Sequence, residues 1–399
     1  MSSKPTVIVA GAGPVGLSLA LFVARAGIPV TVLEKRKDVN RQSKASTFHA
    51  PTLDILGQLG VADQMVADGV VVDAIQYRDA NGDILARLGF ESLVGLTSYP
   101  HRLHYEQSDL SDLLRVALDS DERAQLHFDS EVVEIAERGD QVAVDCLHKG
   151  RETRFEADFL FGCDGAQSVV RQSAGMETVE KHYPGMVLRL YAPRDLSGHL
   201  PDLDGITYIF NGDDSVSLLE MNDCRRVVVR VPEGVSEEEA MSDAWAIGRL
   251  QSLIPIGDIL PAVEQRDVYA ATRRHALTPR TNRVFLAGDA LHLTNTRGGM
   301  NLNAGIHDAL ALAQGLEAAA DAASLEPLHK VADERGRITR DILIPRTDAT
   351  IGTGRERLRR IVDISKDPDK LPGFLHQQAM LDMLGGVKMP RVNGGRYDG

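Results

Sequence analysis

The chain of 399 residues has few cysteines, few aromatic residues and no excess of positive charge. Its three cysteines, Cys146, Cys163 and Cys224, show no CxxC spacing. An odd number of cysteines without this spacing argues against a disulfide framework and a zinc site. We therefore expect reduced thiols, a cytoplasmic location and no bound metal. The net charge of −13 argues against nucleic acid as a partner, since polyanion binding needs basic patches.

A long uninterrupted apolar segment is also missing. Residues 5–33 are apolar, but glycine and proline interrupt them, and they lack the charged start and cleavage signal of a secretory peptide. We therefore expect no membrane partner. The composition, 43% hydrophobic and 25% charged, is ordinary for a globular protein whose length permits two or three domains.

The most specific feature near the start of the chain is a glycine-rich turn between an apolar strand and a helical pattern. The strand is predicted at Val7–Ala10, and the turn is Gly11-Ala12-Gly13-Pro14-Val15-Gly16. A second strand, Thr31–Leu33, ends in Glu34 and Lys35. This pattern predicts a bound ADP group, with Gly11 in the tight turn, Gly13 against a pyrophosphate, Gly16 in close packing and Glu34 on a ribose. The alternative is an ordinary glycine-rich turn.

Two further motifs each follow a predicted strand. Residues 155–161 precede Cys163-Asp164-Gly165-Ala166-Gln167-Ser168-Val169-Val170-Arg171. Residues 285–287 precede Gly288-Asp289, which is followed by the pair Gly298-Gly299 and a helix opening near Asn303. Glycine lets backbone N–H groups approach a ligand, and a helix N-terminus favours negative charge. By itself, the segment from Gly288 to Asn303 fits any anion site.

Taken in order, the motifs GxGxxG, DGxxSxxR, GDAxH and GGxNxNxG resemble the class A FAD-dependent aromatic monooxygenases, the p-hydroxybenzoate hydroxylase-like family. They span residues 7–309. The resemblance implies an α/β fold: a Rossmann-like FAD-binding domain of the glutathione-reductase type with an inserted α+β substrate domain on an antiparallel sheet. It implies an enzyme in which NADH or NADPH reduces FAD, and O2 then hydroxylates a small aromatic substrate through a flavin C4a-hydroperoxide. A reductase or dehydrogenase of the same fold, and a flavin-binding protein without turnover, are the alternatives.

The strand pattern predicts how the chain is divided. Residues 1–72, 98–180 and 270–335 are expected to form a discontinuous FAD-binding domain, and residues 73–97 and 181–269 the substrate domain. Residues 336–399 are expected to form C-terminal helices and a tail. Within residues 73–97, Asn81-Gly82 predicts a type I′ hairpin turn. The oligomeric state is expected to be a monomer or homodimer.

The resemblance also assigns residues to the cofactor. Lys44 stands where the family commonly has an arginine near the FAD phosphates, and Gln107 matches a glutamine near the flavin. Asp164, Gly165 and Arg171 would serve FAD binding and its reduction, unless Asp164 and Arg171 only tie strand to loop. The expected contacts in the last motif are Gly288, Asp289, Gly298, Gly299, Met300 and Asn301.

Two positions in the last motif depart from the family pattern. Thr296 replaces a proline that lies beside the flavin in the family, and Asn301 replaces a glycine. The loss of the proline favours leakage of the oxygen intermediate or, alternatively, a reductase. His292 matches the family histidine and is expected to be structural.

A base or positive charge is expected near the substrate. The candidate catalytic residues are His49, Tyr208 and Arg189, with His101 and Arg102 as further candidates. Phe210, Leu219 and Met221 are expected to line the pocket. A nitro- or hydroxy-substituted phenol, a hydroxypyridine and a quinolone all fit these features. The basic stretch Glu356–Arg360 is interpreted as a solvated helix face.

Overall fold

A computed structural model describes residues 4–42, 45–254, 265–351 and 354–389. Its strands, in chain order, are β1 Val7–Ala10, β2 Val30–Leu33, β3 Thr47–Phe48, β4 Val70–Val72, β5 Ala74–Asp79, β6 Ile84–Gly89, β7 Arg102–His104, β8 Ala124–His127, β9 Ser130–Arg138, β10 Gln141–His148, β11 Arg151–Ala157, β12 Phe159–Gly162, β13 Thr178–Pro193, β14 Ile206–Asn211, β15 Asp214–Glu220, β16 Cys224–Val231, β17 Gln265–Ala276, β18 Val284–Leu286 and β19 His292–Leu293.

The α-helices are α1 Pro14–Arg25, α2 Ala50–Gln58, α3 Ala62–Asp68, α4 Gln107–Asp119, α5 Val169–Ser173, α6 Glu237–Ala240, α7 Asp243–Leu253, α8 Met300–Ala322, α9 Glu326–Ile338, α10 Ile344–Asp348, α11 Gly354–Ser365 and α12 Leu371–Gln378. A π-helical turn, Thr339–Leu343, joins α9 to α10.

A five-stranded parallel sheet, in the order β18-β12-β1-β2-β8, forms one part of the molecule. Its central strand, β1, is buried at every residue, as expected for a parallel strand covered on both faces. Helices α1, α4 and α8 pack on one face and contribute to the largest apolar core. The carboxyl ends of β1, β2, β12 and β18 therefore meet at one edge, directly before the predicted motifs.

An eight-stranded sheet, in the order β19-β17-β13-β16-β15-β14-β5-β6, forms the second part. Its pairs are antiparallel except for β14 with β5, which run parallel. Apolar side chains of α7 and of β13 to β16 form a separate core on one face. Helices α11 and α12 pack over β5, β6 and β14. This architecture confirms the predicted α/β fold with a second, mainly antiparallel sheet.

Three local predictions were wrong. Residues 155–161 form two strands in different sheets, since the chain breaks at Asp158, whose carboxylate binds the Thr6 amide 2.6 Å away. Helix α8 begins at Met300, not near Asn303. The Asn81-Gly82 turn is not type I′, because Asn81 has no positive φ and only Gly82 does, at +92°. Instead, the Asp79 carboxylate accepts hydrogen bonds from the amides of Asn81 and Asp83 and stabilises a longer loop.

The three cysteines are free thiols. Among the described residues, no helix combines the length and apolar character needed to cross a membrane.

Candidate functional site

A single cavity of about 1320 Å³ runs from the edge of the parallel sheet to the eight-stranded sheet. Sites for one drug-sized ligand measure about 300–1,000 Å³, so this cavity has room for a large cofactor and a second small molecule. It lies beyond the carboxyl ends of the parallel strands, where nucleotides bind in open α/β sheets. Of the predicted cofactor residues, those lining it are Gly11, Gly13, Pro14, Val15, Glu34, Lys35, Gln107, Asp164, Gly165, Asp289, Gly298, Gly299, Met300 and Asn301.

The three glycines of the first turn have distinct surroundings. Gly11 has φ of +99°, and a Cβ there would lie 2.5 Å from the Cys163 carbonyl oxygen. A Cβ on Gly16 would lie 2.0 Å from the Gly11 carbonyl oxygen, which explains the close packing of α1. Gly13 has no atom within 4 Å of its Cβ position. The turn therefore leaves open space at Gly13, where the pyrophosphate of a dinucleotide is expected.

Glu34 is buried at the end of β2 and faces the same turn. One carboxylate oxygen accepts a hydrogen bond from the Ala12 amide at 2.8 Å, and the other from the Arg36 amide at 2.9 Å. A carboxylate has about four acceptor positions, so Glu34 retains capacity for a ribose hydroxyl. Gln107 borders the cavity, and its side-chain oxygen accepts a hydrogen bond from the Ala45 amide. Lys44 lies outside the described residues.

Asp164 and Arg171 do not form the direct pair considered from the sequence. Asp164 lines the cavity; one carboxylate oxygen accepts from the Val170 amide, and the other is buried without a partner in the described part of the chain. Burial raises the pKa of this carboxyl group. Arg171 lies behind the cavity wall, where its guanidinium donates to the carbonyl oxygens of Ala290 and Ala166. Arg171 thus ties two loops together, whereas Asp164 offers an acceptor to a ligand hydroxyl.

Asp289 stands at the end of a hydrogen-bonded chain that leads into the core. The Asn301 amide donates to Asp289, and the Asn301 oxygen lies 3.3 Å from Nδ1 of His292. Nε2 of His292 is 2.8 Å from Asp308, which also accepts from Arg335 at 2.7 Å. Burial opposes the charge on His292, but the Asp308 carboxylate outweighs it, and the pKa of His292 is raised. His292 is thus structural, and Asn301 connects it to the cavity.

The loop before α8 turns on two glycines in the left-handed region, Gly298 at +80° and Gly299 at +63°. The Asn303 amide group donates to the Gly299 and Thr47 carbonyl oxygens, holding the loop against β3. The N-terminus of α8 consequently faces the cavity at Met300. Gly288 does not line the cavity. A Cβ on Gly305 would lie 3.0 Å from the Gly288 Cα, so the lack of a side chain at Gly305 lets α8 approach Gly288.

Arg189 and Tyr208 line the far end of the cavity, on the eight-stranded sheet. Arg189 donates to Asp267 at 2.9 Å and lies over the Tyr191 ring. Tyr208 stacks on Tyr77, with ring centroids 5.5 Å apart. Both predicted residues are therefore on the surface that a substrate would contact.

His49 does not line this cavity. Its ring nitrogens lie 2.9 Å from the Gln378 carbonyl oxygen and 3.0 Å from that of Gly298. Burial, and then the charge of Arg102, hold the pKa of His49 well below its usual value. His49 therefore supports the glycine loop from behind. His101 is also absent from the lining, and of the expected apolar residues only Leu219 borders the cavity, because Phe210 and Met221 point into packed regions.

The sequence interpretation missed several residues of the cavity wall, among them Tyr191, Arg226, Tyr269, Arg297 and Arg357. The Tyr269 hydroxyl lies 3.2 Å from that of Thr296, the residue that replaces the family proline. Arg357 belongs to the stretch interpreted as solvated, which was wrong for this residue. Ile361, four residues on, is buried, so the apolar spacing of α11 was the available signal that this face turns inward.

The site fits FAD on three observations of the structure. The turn at Gly13 is open, an oxygen of Asp164 is buried without a partner among the residues described, and α8 presents its N-terminus beyond two left-handed glycines. These features suit a pyrophosphate, a sugar hydroxyl and an anionic ring, respectively.

Comparison with known proteins identifies the family. Residues 4–344 match the family described as FAD binding domain. The para-nitrophenol 4-monooxygenase of Pseudomonas sp. (strain WBC-3) is 28% identical over 357 residues, which cover 88% of this chain and 87% of that protein. The 6-hydroxy-3-succinoylpyridine 3-monooxygenase HspB of Pseudomonas putida (strain DSM 28022 / S16) is 28% identical over 389 residues, covering 93% and 96%.

A solved structure agrees with these relatives. The crystal structure of p-nitrophenol 4-monooxygenase PnpA from Pseudomonas putida DLL-E4 superposes with a TM-score of 0.88 at 25% identity, covering 98% of this chain and 100% of that one. The cavity, the motifs around it and these similarities lead to one assignment: the chain belongs to the FAD binding domain family, among the class A FAD-dependent aromatic monooxygenases.

Proposed function

We propose that this enzyme uses NADH or NADPH and O2 to hydroxylate a small phenolic or N-heteroaromatic compound. The observation that carries the proposal is the continuity of the cavity, which joins the dinucleotide turn at Gly13 to the aromatic side chains of the eight-stranded sheet. The relatives named for nitrophenol and hydroxypyridine substrates support this substrate class.

The edge of the parallel sheet would hold the cofactor. Glu34 would accept ribose hydroxyls, the turn at Gly11 to Gly16 would take the pyrophosphate, and Asp164 and Asp289 would accept hydroxyls of the ribitol. Lys35 and Gln107 border the same space. Once bound, FAD supplies the electron transfer from the nicotinamide to O2 and the activated oxygen for the ring.

The loop at Gly298-Gly299 and the first residues of α8 would stabilise negative charge on the bound ring system. A helix N-terminus presents unpaired N–H groups and a positive dipole end. Fixed donors of this kind require no reorganisation during a reaction. His49 supports this loop through the Gly298 carbonyl and is a positioning residue in this proposal.

Tyr208 would bind a polar group of the aromatic substrate, assisted by Arg102, whose positive charge lies close to it. Arg189, held by Asp267, would complete the polar wall. The side chains of Ile206, Leu219 and Val228 give the same end an apolar lining that excludes water.

We also propose the division of the chain expected from its pattern, with residues 1–72, 98–180 and 270–335 holding FAD and residues 73–97 and 181–269 covering the substrate. Strands β13 and β17 begin and end a few residues outside these limits, at Thr178 and Ala276. A cytoplasmic monomer or homodimer fits the proposal.

The test is a screen of phenols, hydroxypyridines and quinolones for oxygen-dependent oxidation of NADH and NADPH by the yellow holoenzyme. We expect at least one compound to raise the oxidation rate and to yield a hydroxylated product by mass spectrometry. Tyr208→Phe should lose most of this activity while retaining FAD, whereas Tyr105→Phe, outside the cavity lining, should match the wild type. A protein that binds FAD but hydroxylates no compound would contradict the proposal.

A further inference from the structure

Three arginines from separate elements converge on Tyr208. Arg102 belongs to β7, Arg297 to the loop before α8, and Arg357 to α11; all three line the cavity. The Arg357 guanidinium lies 6.0 Å from the Tyr208 ring centroid, and Arg102 and Arg297 both interact electrostatically with Tyr208. One wall of the cavity therefore concentrates positive charge around an aromatic ring.

The protein leaves these charges without a carboxylate partner within 4.0 Å among the described residues. Arg102 and Arg297 donate to the carbonyl oxygens of Gln378 and Thr350, which are neutral. Other charged groups near Arg297 do not neutralise the three arginines. Arg230 adds a further positive charge, and the Asp214 carboxylate already accepts a hydrogen bond from Arg249 at 2.9 Å. Burial, followed by the charges of Arg230 and Arg357, lowers the pKa of Arg297 to about 10.

Arg102 shows that the cluster reaches deep into the molecule. Its side chain is only 3% exposed, and its Nε atom is buried without a hydrogen-bond partner in the residues that the structure describes. Its other contacts, the Gln378 carbonyl oxygen and the Phe90 ring, are neutral. A buried charge without an anionic partner is costly, and an anionic ligand reduces that cost. Guanidinium groups bind carboxylates through two parallel hydrogen bonds, which gives both strength and direction.

We propose that the aromatic substrate carries a carboxylate group, which Arg102, Arg297 and Arg357 bind beside Tyr208. This inference rests on the proposed function and narrows its substrate class from phenolic and N-heteroaromatic compounds in general to those that also carry a carboxylate. The competing source of negative charge is a phosphate of the nicotinamide cofactor. The depth of Arg102 and the neighbouring rings of Tyr208 and Tyr77 favour the compact aromatic acid.

The test measures binding without turnover, by the change in flavin absorbance when a ligand is added to the oxidised holoenzyme. The probes are 4-hydroxybenzoate and 4-hydroxyphenylacetate, each compared with its neutral carboxamide. At least one acid should bind about ten- to a hundredfold more tightly than its amide, the loss expected for one or two charge-assisted hydrogen bonds. Arg357→Met and Arg297→Met should remove that preference while retaining FAD.

Arg359→Met is the matched control, because Arg359 lies on the same helix, is exposed and does not line the cavity. It should leave the acid preference unchanged. Equal binding of acid and amide, alongside hydroxylation of neutral phenols, would overturn this inference and leave the proposed function intact. A rise in the Michaelis constant for NADH or NADPH, with unchanged acid binding in the two variants, would assign the arginines to the nicotinamide cofactor instead. Absence of both binding and turnover for every aromatic compound would overturn both proposals.

Discussion

Single side chains decide how firmly the cavity holds its cofactor, and Asp289 is the clearest case. Its carboxylate borders the cavity and accepts a hydrogen bond from Asn301. Asp289→Ala should weaken FAD binding by one to two decades, because a charge-assisted hydrogen bond contributes roughly 1.5–3 kcal/mol. Titration of the apoprotein with FAD, followed by flavin fluorescence, measures the effect.

Asn301→Gly restores the family residue and serves as the control for Asp289. It removes the link to His292 but keeps the carboxylate, so the loss of FAD affinity should be smaller than for Asp289→Ala. Equal losses in the two variants would mean that Asp289 contributes through its hydrogen bond to Asn301 and not through a direct contact with FAD.

Thr296 is the residue at which the coupling of NAD(P)H oxidation to hydroxylation should be adjustable. Its φ of −78° is compatible with proline, so Thr296→Pro fits the observed backbone. The change removes a hydroxyl and an N–H from the cavity wall. We expect more product and less hydrogen peroxide per NAD(P)H oxidised than in the wild type.

Tyr269→Phe tests the effect of the Thr296 hydroxyl independently of the effect of the Thr296 backbone N–H. It removes the 3.2 Å partner of the Thr296 hydroxyl without altering the loop, and it should increase peroxide release. Identical peroxide yields in the wild type, Thr296→Pro and Tyr269→Phe would show that position 296 has no part in coupling.

At the scale of secondary-structure elements, Gly13 and Gly16 have different roles in the turn from β1 to α1. Gly13→Ala meets no atom within 4 Å, and Gly13 has an ordinary φ of −74°, so the variant should fold but lose FAD. Gly16→Ala would place a methyl group 2.0 Å from the Gly11 carbonyl oxygen and should destabilise the fold itself, by about 1–3 kcal/mol or more. Flavin absorbance after gel filtration and thermal unfolding of the apoproteins distinguish the two. A folded, yellow Gly13→Ala protein would contradict this assignment.

The sequence predicts elements well where the information is local. The β1–turn–α1–β2 unit follows from an apolar strand, spaced glycines and a terminal acid, all within 28 residues. The break at Asp158 was not predictable in this way, because it depends on Thr6, which is remote in the chain. The prediction for the hairpin turn was wrong for a different, local reason: the nearby Asp79 side chain, not the Asn-Gly pair, selects the loop.

At the scale of the whole molecule, motifs predicted much of the cofactor side of the cavity, whereas the substrate side was predicted only in part, through Tyr208, Arg189 and Arg102. Motifs mark the residues that meet at the ends of β1, β2, β12 and β18. Arg357 and Tyr269 reach the cavity only because α11 and β17 pack where they do. The apolar spacing of α11 indicates which of its faces is buried, but not what that face packs against. Tertiary structure alone makes them neighbours of Tyr208 and Thr296.

Buried neutral histidines link the stability of the molecule to pH. Burial lowers the pKa of His104 to about 4 and that of His307 to about 3. In the unfolded chain both titrate near 6.5, so below that pH the unfolded state binds protons that the folded state excludes. Stability should therefore fall as the pH is lowered from about 6.5 to 4, by on the order of 1 kcal/mol per pH unit for each histidine.

Urea unfolding at pH 7 and pH 5, with saturating FAD, measures this loss. His104→Gln retains a donor for the Glu220 carbonyl and removes one titrating group, so its stability should change less between the two pH values. A wild-type protein equally stable at both would show that these histidines are protonated in the folded state.

The strand order also determines when the cofactor site can form during synthesis of the chain. Strand β18 completes the parallel sheet only after residue 286, and β14 must find β5 across more than a hundred intervening residues. Contacts so distant along the chain close slowly, because forming the long loop costs entropy before the pairing repays it. A nascent chain thus exposes its Gly13 turn long before Asp289 and the N-terminus of α8 exist to enclose a ligand. Cofactor capture consequently follows the pairing of β18 and the folding of α8.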